Sequence, residues 1–86
     1  MPRIRIIVER NFEPPVSEDD LNAVSQRIGR CLDLYRVRWI RSHVSTDRRR
    51  MVCEYEAADS QSVRDVQHAA QAPFERVWSA EVMGEG

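Results

Sequence analysis

The chain has 86 residues, of which 42% are apolar and 31% are charged. This balance is typical of one folded domain spanning residues 1–86, and it excludes an intrinsically disordered chain. The sequence has no apolar stretch near the roughly 18 residues that a membrane helix needs. Its first residues also lack the apolar core of a signal peptide. We therefore expect a cytoplasmic protein.

Positive and negative charges nearly cancel, since the chain has 13 basic residues, all of them arginine, and 14 acidic residues. Nucleic-acid binding requires a clearly basic field, so we expect neither nucleic acid nor a membrane as a partner. The absence of lysine excludes Schiff-base chemistry on a lysine side chain. Cys31 and Cys53 lie too far apart for a Cys-x-x-Cys zinc motif, and we expect two free thiols.

The first half of the chain predicts a strand followed by a helix. Residues 3–10 alternate apolar and polar side chains, as a half-buried strand does. Pro14 and Pro15 mark a loop. Ser17 precedes three acidic residues, a pattern typical of a capped helix start, and apolar residues then recur at helical spacing over 17–34.

The second half predicts two strands, a helix and a final strand. Strands over residues 37–45 and 51–56 are joined by a short polar turn, which indicates an antiparallel hairpin. A helix over 60–71 can begin at an Asp59 or Ser60 cap and ends before Pro73. The last strand covers 74–83.

This β-α-β-β-α-β order predicts a ferredoxin-like α+β sandwich, with a four-stranded antiparallel sheet and two helices on one face. The other face of the sheet would then be open. A second copy of the chain is the simplest cover for it, so we expect a homodimer.

The hairpin register decides which side chains share a face. A turn centred on residues 47–48 separates polar from apolar residues cleanly and is favoured, whereas a three-residue loop would pair His43 with Cys53. The favoured register places under the helices Ile40, Ser42, Val44, Met51, Cys53 and Tyr55. It places on the open face Trp39, Arg41, His43, Val52, Glu54 and Glu56. Strand one adds to the open face Arg5, Ile7 and Glu9. In strand four, Trp78, Ala80 and Val82 are expected in the core.

The open face therefore gathers an imidazole, carboxylates and an arginine. His43, Glu54 and Glu9 are candidate metal ligands, with the Cys53 thiolate as a fourth and Glu56 as a spare, because imidazole, carboxylate and thiolate bind divalent transition metals. The simpler interpretation is a polar surface, with Glu54 paired to Arg41 and Cys53 in the core.

An enzyme is the alternative hypothesis. If Met1 were removed, Pro2 would present a secondary amine at the start of a strand, and such an amine can act as a base. The segment from Pro2 through Ile4 and Ile6 to Arg10 resembles the start of the tautomerase family. This resemblance implies an isomerase acting on a small organic anion, with Pro2, His43 or Glu54 as the base. A plain interaction module is a third hypothesis.

A broader resemblance covers nearly the whole chain. Its specific parts are Trp-Ile-Arg-Ser-His-Val-Ser at 39–45 and Cys-Glu-Tyr-Glu-Ala at 53–57, with Val-Glu-Arg-Asn-Phe at 8–12 and Ala-Pro-Phe at 72–74. The series resembles a small bacterial family of one-domain ferredoxin-like proteins of unknown function, of which at least one type is a nickel-binding homodimer. The resemblance implies the fold, a homodimer and nickel binding, whereas the ligand chemistry alone leaves copper and zinc open. The first hypothesis is therefore a nickel-binding protein that serves sequestration or homeostasis rather than catalysis.

Overall fold

Short alternating segments and capped amphipathic segments follow one another along the chain, and each forms the element its pattern predicts. The structure, a computed structural model, describes residues 3–84. The elements are β1 (Ile4–Asn11), α1 (Glu18–Cys31), β2 (Arg38–Val44), β3 (Arg50–Ala57), α2 (Ser60–Ala69) and β4 (Arg76–Ala80). Pro2, the base of the tautomerase hypothesis, lies outside the described residues.

The four strands form one antiparallel sheet in the order β2-β3-β1-β4. The two central strands of the sheet are therefore β3 and β1, and β2 and β4 form its edges. This topology and the element order confirm the predicted ferredoxin-like fold. No helix within residues 3–84 has the length and apolarity to cross a membrane.

Both helices begin at the predicted caps. The Ser17 hydroxyl accepts a hydrogen bond from the Asp20 amide at 3.1 Å, and the Asp59 carboxylate accepts one from the Ser62 amide at 2.8 Å. Each satisfies one of the free N–H groups at a helix start. Both helices end two or three residues before their predicted ends, where the last turns are irregular.

The core lies between the sheet and the helices, and the two helices contribute to it unequally. Ile6, Val8 and Tyr55 from the sheet are almost fully buried, as are Val63 and Val66 from α2. In α1 only Ile28 is buried. The backbone of α2 approaches β3 and β4, whereas that of α1 approaches mainly α2. The space between α1 and the sheet is therefore less tightly filled.

One cation is part of this core. Arg10 continues the alternation of Ile6 and Val8, so its side chain points under the helices, where it is 2% exposed. Its guanidinium donates to the Pro73 carbonyl at 3.0 Å and to the Gln67 side-chain oxygen. The Tyr55 hydroxyl lies beside both groups, and burial raises the pKa of Tyr55 to about 12. The phenol therefore stays neutral next to the buried arginine.

The hairpin adopts the favoured register. Arg41 pairs with Glu54, Ser42 with Cys53 and Val44 with Met51. Residues 46–49 form the turn, closed by the hydrogen bond from the Ser45 amide to the Arg50 carbonyl at 2.9 Å. The alternative register, which paired His43 with Cys53, is wrong.

The prediction that Trp39 lies on the open face is also wrong. A bulge between Trp39 and Arg41 makes Trp39 pair with Tyr55, and Ile40 becomes the extra residue. Because side chains alternate between the two faces of a sheet, one inserted residue moves each preceding residue of the strand to the opposite face. Trp39 therefore lies on the helix side, where its indole N–H donates to the Ser42 hydroxyl at 2.9 Å.

In β4 the predicted facing is reversed. Val77 pairs with the buried Val8, so Val77 faces the helices, whereas Trp78 pairs with Ile7 on the open face. Trp78 is 45% exposed there, and Ala80 shares its face. The strand ends at Ala80, so Val82 lies beyond it and is exposed. The expectation of a core Trp78, Ala80 and Val82 is therefore wrong.

Candidate metal centre

The open face of the sheet carries the candidate ligands in two neighbouring rows that run across all four strands. Strand pairing gives one row as Arg41, Glu54, Ile7 and Trp78 and the next as His43, Val52, Glu9 and Arg76. Residues in adjacent rows of one face lie within reach of each other's side chains. The predicted placement of His43, Glu54 and Glu9 on one face is confirmed.

Glu54 lies at the centre of this surface and contacts three basic side chains. Arg5 Nη1 donates to Glu54 Oε1 at 2.7 Å. On the other carboxylate oxygen, Oε2, His43 Nε2 lies at 3.2 Å and Arg41 Nε at 3.5 Å. The Glu54 side chain is only 16% exposed. Its negative charge therefore interacts with basic side chains from both strands that flank β3, namely β1 and β2.

These contacts determine the ionisation of Glu54. Partial burial acts to raise its pKa, because it disfavours the charged carboxylate. The hydrogen bonds from His43 and Arg5, together with the charges of Arg41 and Arg5, outweigh this effect and hold the pKa below its ordinary value. Glu54 is thus a carboxylate over the whole neutral range, which is the form that binds a metal.

The spacing of His43 and Glu54 suits two ligands of one ion. Two atoms that each lie about 2.1 Å from a divalent metal are about 3.0–3.4 Å apart at octahedral or tetrahedral angles. His43 Nε2 and Glu54 Oε2 are 3.2 Å apart in their hydrogen bond, so an ion bound by both atoms would replace the proton between them. The His43 side chain is 65% exposed, so an ion can reach this pair from solvent or from a facing molecule.

Glu9 and Glu56 lie on the same face, but each contacts a side chain other than His43 and Glu54. Glu9 pairs with Val52, one strand beyond His43 in its row, and its Oε2 accepts the indole N–H of Trp78 at 2.7 Å. Glu56 lies one row further along β3 and contacts Arg38 at 3.5 Å. Neither carboxylate closes a site with His43 and Glu54 within one copy.

Cys53 does not share this face. It precedes Glu54 in β3, so its side chain points to the helices, and it is 1% exposed. Its pairing partner is Ser42 and not His43. The predicted group of His43, Glu54, Glu9 and Cys53 is therefore divided between the two faces of the sheet. Both cysteines are free thiols.

Across residues 3–84, no three side chains of His, Cys, Asp or Glu come close enough together to hold a metal ion. In that part of the chain, His43 and Glu54 form a pair of neighbouring donor atoms. Sequence reasoning anticipated Arg41 beside Glu54 but missed Arg5 as its closest partner. The signal was available, since strand alternation places Arg5 on the open face next to β3.

Comparison with known proteins agrees with this fold. A family model described as nickel responsive protein SCO4226-like matches residues 7–79. The crystal structure of SCO4226 from Streptomyces coelicolor A3(2) superposes with a TM-score of 0.83 at 11% identity, covering 93% of this chain and 99% of that chain. At this identity the superposition shows a shared fold alone. No curated protein matches the chain. The resemblance to a small bacterial family is confirmed, and because the family model spans most of its length, the chain belongs to the nickel-responsive SCO4226-like family.

Proposed function

We propose that this protein binds Ni²⁺ through His43 and Glu54 and serves nickel sequestration or homeostasis in the cytoplasm. The observation that carries the proposal is the 3.2 Å separation of His43 Nε2 and Glu54 Oε2 on an accessible surface. Imidazole and carboxylate are suitable ligands for Ni²⁺, which binds such sites more tightly than Mn²⁺ or Fe²⁺ does. The family description supports the link to nickel.

A homodimer supplies the missing ligands in this proposal. Two donor atoms are too few for a tight site, and a two-fold axis through the open faces would present the His43 and Glu54 pair twice. Trp78, which is 45% exposed, and the half-buried Val52 give the same face an apolar component. A second copy packed there would remove this apolar surface from water.

The surrounding arginines set the conditions for binding. Arg5 holds Glu54 Oε1 at the shorter distance, so Oε2 is the oxygen available to an ion. Arg41, whose Nε lies 3.5 Å from Oε2, would have to move aside. We therefore expect Arg41→Ala to increase nickel affinity, because it removes a competing cation from the ligand oxygen.

Calorimetric titration of metal-free protein with Ni²⁺ tests the proposal. We expect saturable binding with a fixed stoichiometry per dimer. His43→Ala should weaken binding by more than about tenfold, since even loss of a residue that only supports a ligand weakens metal binding by about 10–100-fold. Circular dichroism checks that the variant remains folded.

His68 offers a matched control. It is the second of the two histidines, it is exposed on α2, and its ring packs against Phe74. His68→Ala should bind Ni²⁺ as the unmodified protein does. Equal nickel binding by His43→Ala and His68→Ala would refute the assignment of the site, and millimolar binding by the unmodified protein would refute the function.

A further inference from the structure

A cavity of about 260 Å³ lies between α1 and the sheet, on the side opposite the metal-ligand pair. Its floor is formed by the side chains of Met51, Cys53 and Tyr55, which are buried residues of the core. Trp39 and Ser42 of the edge strand β2 line it together with α1. It occupies the loosely filled space that α1 leaves above the sheet.

The lining of the cavity defines the chemistry of a suitable ligand. Charged residues make up 31% of the chain, but none of the residues that line the cavity is charged. The polar atoms at its wall are few, and the Trp39 indole N–H already donates to the Ser42 hydroxyl. Such a lining favours a neutral, apolar molecule and excludes a free ion.

The size of the cavity is sufficient for a ring compound. An apolar cavity of about 150 Å³ accommodates benzene. A volume of about 260 Å³ therefore has room for a substituted benzene or a fused two-ring molecule. The indole of Trp39, which is 51% exposed, offers an aromatic surface against which such a ring can pack.

Gly29 shows where the cavity opens along α1. It lies in the interior of α1, where glycine weakens a helix relative to alanine, and it lines the cavity. A Cβ built on Gly29 would meet no atom within 4 Å. Gly29 is itself exposed, so it marks the open rim of the cavity, where a longer side chain can be introduced without displacing protein atoms.

We propose that the cavity between α1 and the sheet is a binding site for a small, neutral, apolar ring compound. The ligand enters beside Trp39 at the β2 edge and packs between that indole and the apolar side chains of α1, above the buried side chains of the sheet. The site is separate from the nickel proposal, because His43 and Glu54 face away from the cavity on the other side of the sheet.

The two tryptophans lie on opposite faces and make a direct test possible. Trp78→Phe leaves Trp39 as the fluorophore beside the cavity, and Trp39→Phe leaves Trp78 on the open face. The probe is iodobenzene, a neutral apolar ring whose iodine atom quenches indole fluorescence on contact. We expect saturable quenching of Trp39 and only weak, non-saturating quenching of Trp78. Adding His43→Ala should leave the quenching of Trp39 unchanged.

Variants of α1 locate the binding. Gly29→Leu places a side chain in the cavity and should weaken iodobenzene binding by at least about tenfold, which corresponds to about 1.4 kcal/mol. Gln26→Leu adds the same side chain at an exposed position outside the cavity and should leave the affinity unchanged. If Gly29→Leu fails to fold, Ser25→Leu, which also lines the cavity, replaces it. Equal quenching of the two tryptophans, or undiminished binding by the cavity-filling variant, would overturn the proposal.

Discussion

At the scale of single residues, Glu54 connects three strands through its carboxylate. Arg5 on β1 and Arg41 and His43 on β2 all contact it. Hydrogen bonds to a charged group contribute more than neutral ones. We therefore expect Glu54→Gln to lower the free energy of unfolding by about 1–2 kcal/mol at neutral pH.

The same contacts predict a dependence of stability on pH. The pKa of Glu54 is depressed in the folded chain below its ordinary value of 4.5. The unfolded chain therefore takes up the proton first as pH falls, and this part of the stability is complete above the unfolded pKa and disappears as pH falls through the folded pKa. The difference in unfolding free energy between the unmodified protein and Glu54→Gln should shrink between neutral pH and acid.

Urea denaturation at a series of pH values measures this difference. Glu13 provides a control, because its side chain is 91% exposed and contacts only the exposed Arg49 at 3.3 Å among the ion pairs of residues 3–84. Glu13→Gln should shift stability by little, at any pH, as exposed ion pairs contribute about 0–1 kcal/mol. A Glu54→Gln deficit that stays constant down to acid pH would contradict the prediction.

At the scale of elements, Gln67 links α2 to the sheet. It is fully buried, and its side-chain oxygen accepts a hydrogen bond from the buried guanidinium of Arg10 on β1. Gln67→Leu keeps a similar volume but removes the acceptor, leaving a buried charged donor without it. We expect a loss of about 1–3 kcal/mol in unfolding free energy, measured by urea denaturation.

Gln61 supplies the comparison on the same helix. Its side chain is exposed and donates to Asp65 at 2.9 Å. Gln61→Leu should change stability by no more than about 0.5 kcal/mol. If the two variants were equally stable, the contact between Arg10 and Gln67 would not hold α2 to the sheet.

The same elements show how far sequence reasoning reaches. The alternation of Ile4, Ile6 and Val8, the caps at Ser17 and Asp59 and the short hairpin turn are local signals, and each predicts its element correctly. Polar and apolar residues also separate cleanly across the hairpin, so the pairing of Arg41 with Glu54 could be predicted. The open-face neighbours of Glu54 follow from that register.

What sequence reasoning missed depends on contacts between distant segments. The bulge at Ile40 leaves no local mark, yet it turns Trp39 from the open face to the helix side. In β4 both alternating sets contain apolar residues, and only the pairing of Val77 with Val8 decides which set is buried. Burial of Arg10 did have a signal, since it shares the alternation of Ile6 and Val8.

At the scale of the whole molecule, the sheet divides the protein into two chemically different sides. The helix side holds the core and a neutral cavity, whereas the open side carries arginines, glutamates and His43 around Ile7, Val52 and Trp78. The open side carries the pair of His43 and Glu54, which an ion can reach through the exposed imidazole. A metal site completed by a second copy would therefore tie nickel binding to assembly through this face.

Such a tie predicts that nickel strengthens the dimer. A ligand that binds only the assembled form shifts the equilibrium toward it, and the coupling is reciprocal. Sedimentation equilibrium at low protein concentration should show a larger average mass with Ni²⁺ than without it. His43→Ala should abolish this increase, and His68→Ala should retain it.

Val52→Arg, which places a charge at the centre of the open face, should remain monomeric with or without Ni²⁺, whereas Leu34→Arg at an exposed site after α1 should dimerise normally. An average mass that does not respond to Ni²⁺ while the metal still binds would place the site within one copy and separate it from assembly.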